Sequence, residues 1–505
     1  MSKILHGGRL SSVREDIAKF TSSRKDDELL APAVVDINKA HIIMLIEQKI
    51  IQPLDGGKIL KALQKLSNVT LDPAAEDVHM ALEEAVLKET GAEVGGNLHI
   101  AKSRNDQVTT AIRMQLRNEL VEVMLQVLQM QENLLETADK HVDTIILEYT
   151  HLQAAQPVTF AHYLISWVQA LERDLNRLKE TYARVNMCPL GAGALATTSF
   201  PINRVRTASL LGFNSVLENS IDAVGSRDYI LETQSALTLL AVNLSRLAED
   251  LIIWSSQEFS TVELPDEFTS TSSIMPQKKN PEVLEVIRAR ASYALGDFVA
   301  SAAAIKSLPT VYNLDFQEVT TKLWASVGNL SSSLSIFTEL IPNLKVSSNV
   351  EGKAAAGFTG ATELANMLVR KYHVAFRTSH KIVGALVKSL ADSNKTLLDA
   401  TPKLLQTIAR ETAGVNLSIK IGDIIDCTNP RKLVETYKVQ GGPSAVEVEK
   451  AIKTSKKNIA EAKTNIVKLK NNLEDAQRNL NNVAESYASN KQSATENVRF
   501  KNPNL

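Results

Sequence analysis

The sequence predicts an all-α protein built around a bundle of long helices, and three observations carry that prediction. The first is a set of apolar stripes at steps of three and four. They are Leu116, Leu120, Val123, Val127, Met130 and Leu134; Leu164, Val168, Leu171, Leu175, Leu178 and Tyr182; and Leu237, Leu240, Leu244, Leu247, Leu251 and Trp254. Residues so spaced share one helical face and must be buried against other helices. The second is that no run of comparable length alternates with period two, as a half-buried strand would. The third is composition: aromatics are 5% of a 505-residue chain that is 44% hydrophobic, so Leu, Ala and Ile must fill the cores. That balance suits helix-on-helix packing.

Along the chain, residues 1–101 hold shorter periodic segments punctuated by Gly, Pro and Asp and read as an N-terminal helical domain. The central long-helix bundle spans 102–351 and ends at the polar run SSNVEGK (347–353). Helices of this length carry more apolar stripe than one subunit covers, so an oligomer is expected. Residues 352–450 read as a C-terminal helical domain. After GGPS (441–444), the tail 451–505 carries Ile452, Ser455, Ile459, Ala462, Ile466, Leu469, Leu473, Ala476, Leu480, Val483 and Tyr487 at alternating steps of three and four. This is a coiled-coil-like helical extension. Packing on the body or on a sister tail is favoured over docking a further partner, and the sequence names no tail partner.

A net charge of −1 gives no electrostatic footprint for nucleic acid or a membrane. Cys188 and Cys427 offer neither a disulfide framework nor a zinc set, which fits a reducing cytoplasm. No apolar run is seen as long enough to span a bilayer, and MSKILHGGRLSSVRED lacks the apolar core of a signal peptide, so a soluble cytoplasmic protein is expected. No Walker loop, HExxH or Cys/His metal spacing is found, so no metal or redox cofactor is expected. Gly191-Ala-Gly193 mimics a dinucleotide fingerprint. It follows MCPL rather than an apolar strand, with no βαβ pattern around it, and is set aside.

Three polar patches carry the chemistry. In NLHIAKSRNDQVTT (97–110), Arg104 can grip a carboxylate bidentately, Ser103 and Asn105 add neutral donors, and Asp106 can cap the next helix. A plain polar helix start explains the same run about as well. In YTHLQAAQPVTFAH (149–162), His151 sits beside Thr150 and Gln153 in what reads as a polar loop before a long helix. Its imidazole is an acid–base candidate, although most lone histidines are structural. In FTSTSSIMPQKKNPEVLE (268–285), hydroxyls at Thr271, Ser272 and Ser273 lead to Lys278, Lys279, Asn280 and Pro281. A surface loop explains the lysines but not the hydroxyl run with Met275 and Pro276. A serine becomes a useful base when donors stabilise its alkoxide and the loop can exclude water. Together the patches suggest proton abstraction beside a carboxylate, where fixed cations and amide donors must hold the growing charge.

These residues are recognisable. TSSIMPQKKNPE resembles the signature loop of the fumarase/aspartase superfamily. HGGRL near the start, EDVHMALE (76–83), LHIAKSRNDQV (98–108), YTHLQAAQP (149–157), PLGAGALA (189–196), DAVGSRDYILE (222–232) and YNLDFQE (312–318) narrow the resemblance to the argininosuccinate lyase family, over about 5–450. The resemblance implies a homotetramer whose subunits contribute to a twenty-helix core, with each active site built from three subunits. It implies cofactor-free cleavage of argininosuccinate to arginine and fumarate by anti β-elimination through a carbanion. Ser272 matches the catalytic base, His151 the active-site histidine and Glu285 the carboxylate that orients it. Ser103, Arg104, Asn105, Thr150, Lys278 and Asn280 match carboxylate-holding positions. Tyr312 and Gln317 match positions near the arginine part, and His79 a substrate-proximal histidine from another subunit. The alternatives are another lyase of the superfamily, such as adenylosuccinate lyase, or a non-catalytic crystallin-like relative.

The chain departs from the family pattern at four places. Thr271 stands where a glycine precedes the two serines, which predicts a stiffer hinge. AKSRND replaces GRSRND. Thr320 stands where a substrate-binding lysine is expected, and Lys322 lies about 200° around a helix from it. The tail beyond 450 exceeds the expected family length.

Overall fold

The computed structural model describes residues 14–23, 26–66, 77–347 and 349–489. HGGRL, Glu76 and the end of the tail lie outside them. The described residues form nineteen α-helices and four two-stranded ladders, so the fold is all-α. The bundle consists of α4 (Arg104–Lys140), α5 (Phe160–Val185), α6 (Asp228–Ser255), α7 (Glu282–Ile305) and α8 (Asp315–Leu340), numbered after the three N-terminal helices below. All three predicted stripes are buried, and they close the contacts of α4 with α5, α5 with α6 and α6 with α7.

The N-terminal helices α1 (Ala31–Glu47), α2 (Pro53–Leu66) and α3 (Val78–Thr90) share the bundle's core. Asp27–Glu47 is, contrary to the sequence expectation, long and apolar enough to cross a membrane. However, 83% of its most apolar window is buried inside the protein, as in a core helix. Helices α9 (Ala361–Tyr372), α10 (Phe376–Asp392) and α11 (Pro402–Ala413) enclose a second core around Leu364, Leu368, Ile382, Leu386 and Leu405.

The described part of the tail lies in one 44-residue helix, α12 (Ala445–Ala488), which packs on the body of its own chain against α4, α2, α1 and α5. Ile452, Ile459, Ile466 and Leu480 of the predicted stripe are buried there. Lys456–Asp139 (3.0 Å), Lys463–Glu132 (2.8 Å) and Lys470–Glu122 (2.8 Å) flank the seam and show α12 running antiparallel to α4. Exposed pairs of this kind contribute little, so the apolar stripe holds the helix down.

Two ladders position the site. β1 (Ile145–Thr150) and β2 (Gln153–Thr159) form an antiparallel hairpin with a bulge at Glu148/Tyr149. β3 (Ser270–Thr271) pairs with β4 (Lys279–Asn280). The hairpin replaces the loop expected before α5. Its strands show no clean alternation of burial, and Pro157 interrupts the second, so the local pattern concealed them.

Candidate active site

The first patch is built by a capping box. Ser103 is the N-cap of α4: its hydroxyl accepts from the Asn105 N–H at 3.3 Å, and its own N–H donates to Asp106 at 2.9 Å. The box satisfies helix-end donors and directs Arg104 and Asn105 outward from the first turn. Asn105 donates from Nδ2 to the Ala194 carbonyl at 3.2 Å. Arg104 pairs with Asp77, whose other oxygen caps α3 by accepting the Met80 N–H at 2.9 Å. Sequence reasoning missed Asp77, although EDVH carries it.

Tyr312 and Gln317 join this patch. They hydrogen-bond to each other, and the phenol lies within the electrostatic reach of Arg227, Arg104 and Asp27. Burial raises the Tyr312 pKa while the two guanidiniums oppose the shift. Arg227, 2% exposed, stacks over Phe316 at 4.2 Å and donates to the Val224 and Ser226 carbonyls. Asp27 accepts from Ser23, and it supplies an acidic neighbour to the Tyr312 end. Arg227 and Asp27 were also missed, because they are remote in sequence from the residues they face.

His79 is buried at 6% exposure, close to Gln107 of α4 and to Lys102. Burial and the Lys102 charge push its pKa down to about 3, so it is neutral. Thr320 turns into the core and donates to the Phe316 carbonyl at 2.9 Å, while Lys322 pairs with Asp297 at 3.5 Å. Lys322 therefore does not occupy the place of the expected lysine.

The second patch is the turn of the β1–β2 hairpin. His151 and Leu152 form a two-residue turn with φ of 55° and 58°, exposed at the tip between Thr150 and Gln153. Both φ signs match a type I′ turn, which normally takes Asn and Gly. Left-handed backbone at a non-glycine pair is strain of the kind that clusters at functional sites. Behind the tip, Tyr149 packs edge-on against Phe259 at 4.9 Å.

The third patch is a seven-residue excursion pinned at its base by Ser270↔Asn280 and Thr271↔Lys279. The Ser272 hydroxyl oxygen accepts N–H bonds from Ile274 (3.3 Å) and Met275 (3.2 Å). Two such donors hold the hydroxyl oxygen at the start of the loop. Ile274 is 83% exposed, so the loop tip stands in solvent. Lys279 is tied to Asp266 at 2.7 Å and Glu263 at 3.2 Å, whereas Lys278 makes no ion pair among the described residues. Asn280 donates to Ser270 Oγ at 3.4 Å. Thr271 lies in the ladder with ordinary φ, so the glycine it replaces is not required for a left-handed backbone here. Pro281 is the N-cap of α7, and Glu285 is exposed on the first turn.

Within one chain, Ser103, Arg104, Asn105, Tyr312 and Gln317 thus lie on one neighbourhood. Among the described residues, the side chains of His151, Ser272, Lys278 and Glu285 make no hydrogen bond or ion pair with one another. No group of three or more His, Cys, Asp or Glu among the described residues could hold a metal ion.

Comparison with known proteins places this geometry. A family model described as "Lyase" matches residues 19–296, and one described as "Argininosuccinate lyase C-terminal" matches 358–435. The argininosuccinate lyase of Methanocaldococcus jannaschii is 42% identical over 463 residues, covering 90% of this chain and 94% of its own. That of Methanosarcina barkeri is 42% identical over 456 residues, covering 89% and 91%. The crystal structure of EDDS lyase in complex with formate superposes with a TM-score of 0.87 at 29% identity, covering 92% of this chain and 93% of that one. A fumarate lyase from Mesorhizobium sp. BNC1 shares the fold, with a TM-score of 0.71 at 19% identity, covering 85% of this chain and 98% of that one. With a capped Ser-Arg-Asn start on α4, a histidine hairpin and a serine loop pinned before α7, the chain belongs to the argininosuccinate lyase family, among the fumarate lyases.

Proposed function

We propose that the chain is a carbon–nitrogen lyase that cleaves argininosuccinate to arginine and fumarate. The observation that carries this is 42% identity to argininosuccinate lyases over nine-tenths of the chain. An EDDS lyase variant of the same fold is known with bound fumarate, which supports a small dicarboxylate at this kind of site. Relatives named for the argininosuccinate reaction favour it over the adenylosuccinate and crystallin-like alternatives.

The Ser272 alkoxide removes the proton from the succinyl carbon next to the nitrogen-bearing one. The electron pair enters the adjacent carboxylate, where Lys278 and Asn280 hold the extra charge. It then forms the carbon–carbon double bond as the carbon–nitrogen bond breaks. The departing guanidino nitrogen takes a proton from His151, held by Glu285. Ser103, Arg104, Asn105 and Thr150 hold the carboxylates; Tyr312 and Gln317 contact the arginine part, and His79 of another subunit lies beside the substrate. No cofactor is invoked in these steps.

The assembly proposed is a homotetramer in which different subunits bring the three patches together. Exposed Leu239, Val242, Val286, Tyr293, Leu295 and Val299 on α6 and α7 offer apolar surface for it. A division at 1–101, 102–351, 352–450 and 451–505 and a cytoplasmic location, in keeping with two unpaired buried cysteines, complete the proposal. The test is fumarate absorbance on adding argininosuccinate, run beside Ser272→Ala, with light scattering to give the mass. Turnover by a tetramer that Ser272→Ala abolishes is expected. A folded tetramer that makes no fumarate would overturn the assignment.

A further inference from the structure

Asp106 is fully buried, and the proposed reaction leaves it without a role. One carboxylate oxygen accepts the Ser103 N–H at 2.9 Å. The other accepts two more backbone donors, Gly191 N–H at 3.0 Å and Gly193 N–H at 2.8 Å. Those glycines belong to the motif that mimics a dinucleotide fingerprint. Their φ values of 86° and 64° accompany two N–H groups, on alternate residues, that converge on one oxygen, as in an anion-binding nest. A Cβ on Gly193 would meet the Thr197 carbonyl oxygen at 2.6 Å. The anion in this nest is the protein's own Asp106.

The link reaches the site on both sides. Asp106 is two residues from Arg104 and one from Asn105. Asn105 is tied to the same turn through the Ala194 carbonyl at 3.2 Å, and Ser220 donates to the Leu195 carbonyl at 2.7 Å, joining the turn to the segment that carries Arg227. An asparagine offers one acceptor oxygen and an NH2 donor. It would point a donor at either the Ser103 N–H or the two glycine N–H groups, and one side of the link would open.

We propose that Asp106 is a positioning residue for substrate binding, its carboxylate stapling the Ser103-Arg104-Asn105 start of α4 to the Gly191–Gly193 turn. The proposal rests on the argininosuccinate lyase reading. It is tested by steady-state kinetics of the full-length wild type, Asp106→Asn and Gly193→Ala, with fumarate as competitive inhibitor and thermal unfolding as control. Gly193→Ala disturbs the nest while leaving the carboxylate in place, so it serves if Asp106→Asn does not fold. KM and the fumarate inhibition constant are expected to rise together by about tenfold or more, the affinity carried by one charge-assisted hydrogen bond to a carboxylate, while kcat falls less. Folded variants with wild-type KM and fumarate inhibition, altered only in yield or melting temperature, would overturn the proposal. Wild-type turnover tests the lyase reading separately, so unaltered variants of an active enzyme reject the staple alone.

Discussion

Glu148 lies three residues before His151, at the bulge of the hairpin, and is paired across the ladder with Gln156. Burial pushes its pKa from 4.5 up to about 7; the Asp250 charge adds to the shift, and the Tyr149 N–H opposes it. Asp250 is itself held by the Tyr163 hydroxyl at 3.0 Å. The folded protein therefore keeps a proton on Glu148 over a range where the unfolded chain has lost it. The stability this proton confers is fully present below about pH 4.5 and is lost as the pH rises through about 7. At 1.36 kcal/mol per pH unit, the gap is worth at most about 3 kcal/mol, and the remaining solvent contact of the side chain lowers that figure. Glu148→Gln keeps the shape and cannot ionise. Urea unfolding of both proteins at pH 5 and pH 8 is the assay. The variant should gain on the wild type by about 1–3 kcal/mol between the two pH values. Parallel pH dependence of the two proteins would refute a buried, protonated Glu148.

Other perturbations separate chemistry from scaffold. Ser272→Ala should lower kcat by at least about 100-fold while fumarate still inhibits, and a variant with near wild-type kcat would remove Ser272 as the base. Gly225→Ala drives a Cβ into the Thr310 carbonyl oxygen, so the segment leading to Tyr312 must retreat; KM should rise, and an unchanged KM would detach Tyr312 from binding. Ile466→Ala on α12, fully buried, should cost about 2–5 kcal/mol in urea unfolding. Lys463→Ala on the same helix should cost less than about 1 kcal/mol.

The long helices, the tail stripe and the three polar patches are legible in the residues alone. The stripes on α4, α5 and α6 are legible because a helix repeats every 3.6 residues and burial follows that period locally. The loop before α7 is legible because its hydroxyls, lysines and prolines are contiguous. The hairpin was not legible. Its strands lack alternation, and its turn holds His151 and Leu152 at φ values more often given to Asn and Gly. Nor were the partners of the charged groups legible: Asp77 for Arg104, Asp297 for Lys322 and the Gly191–Gly193 turn for Asp106. Spacing along a chain records which face a side chain occupies, whereas an ion pair or a nest depends on which distant segment packs opposite. Those pairings belong to the folded chain, and with them goes the choice of whether each charge faces the site or the scaffold.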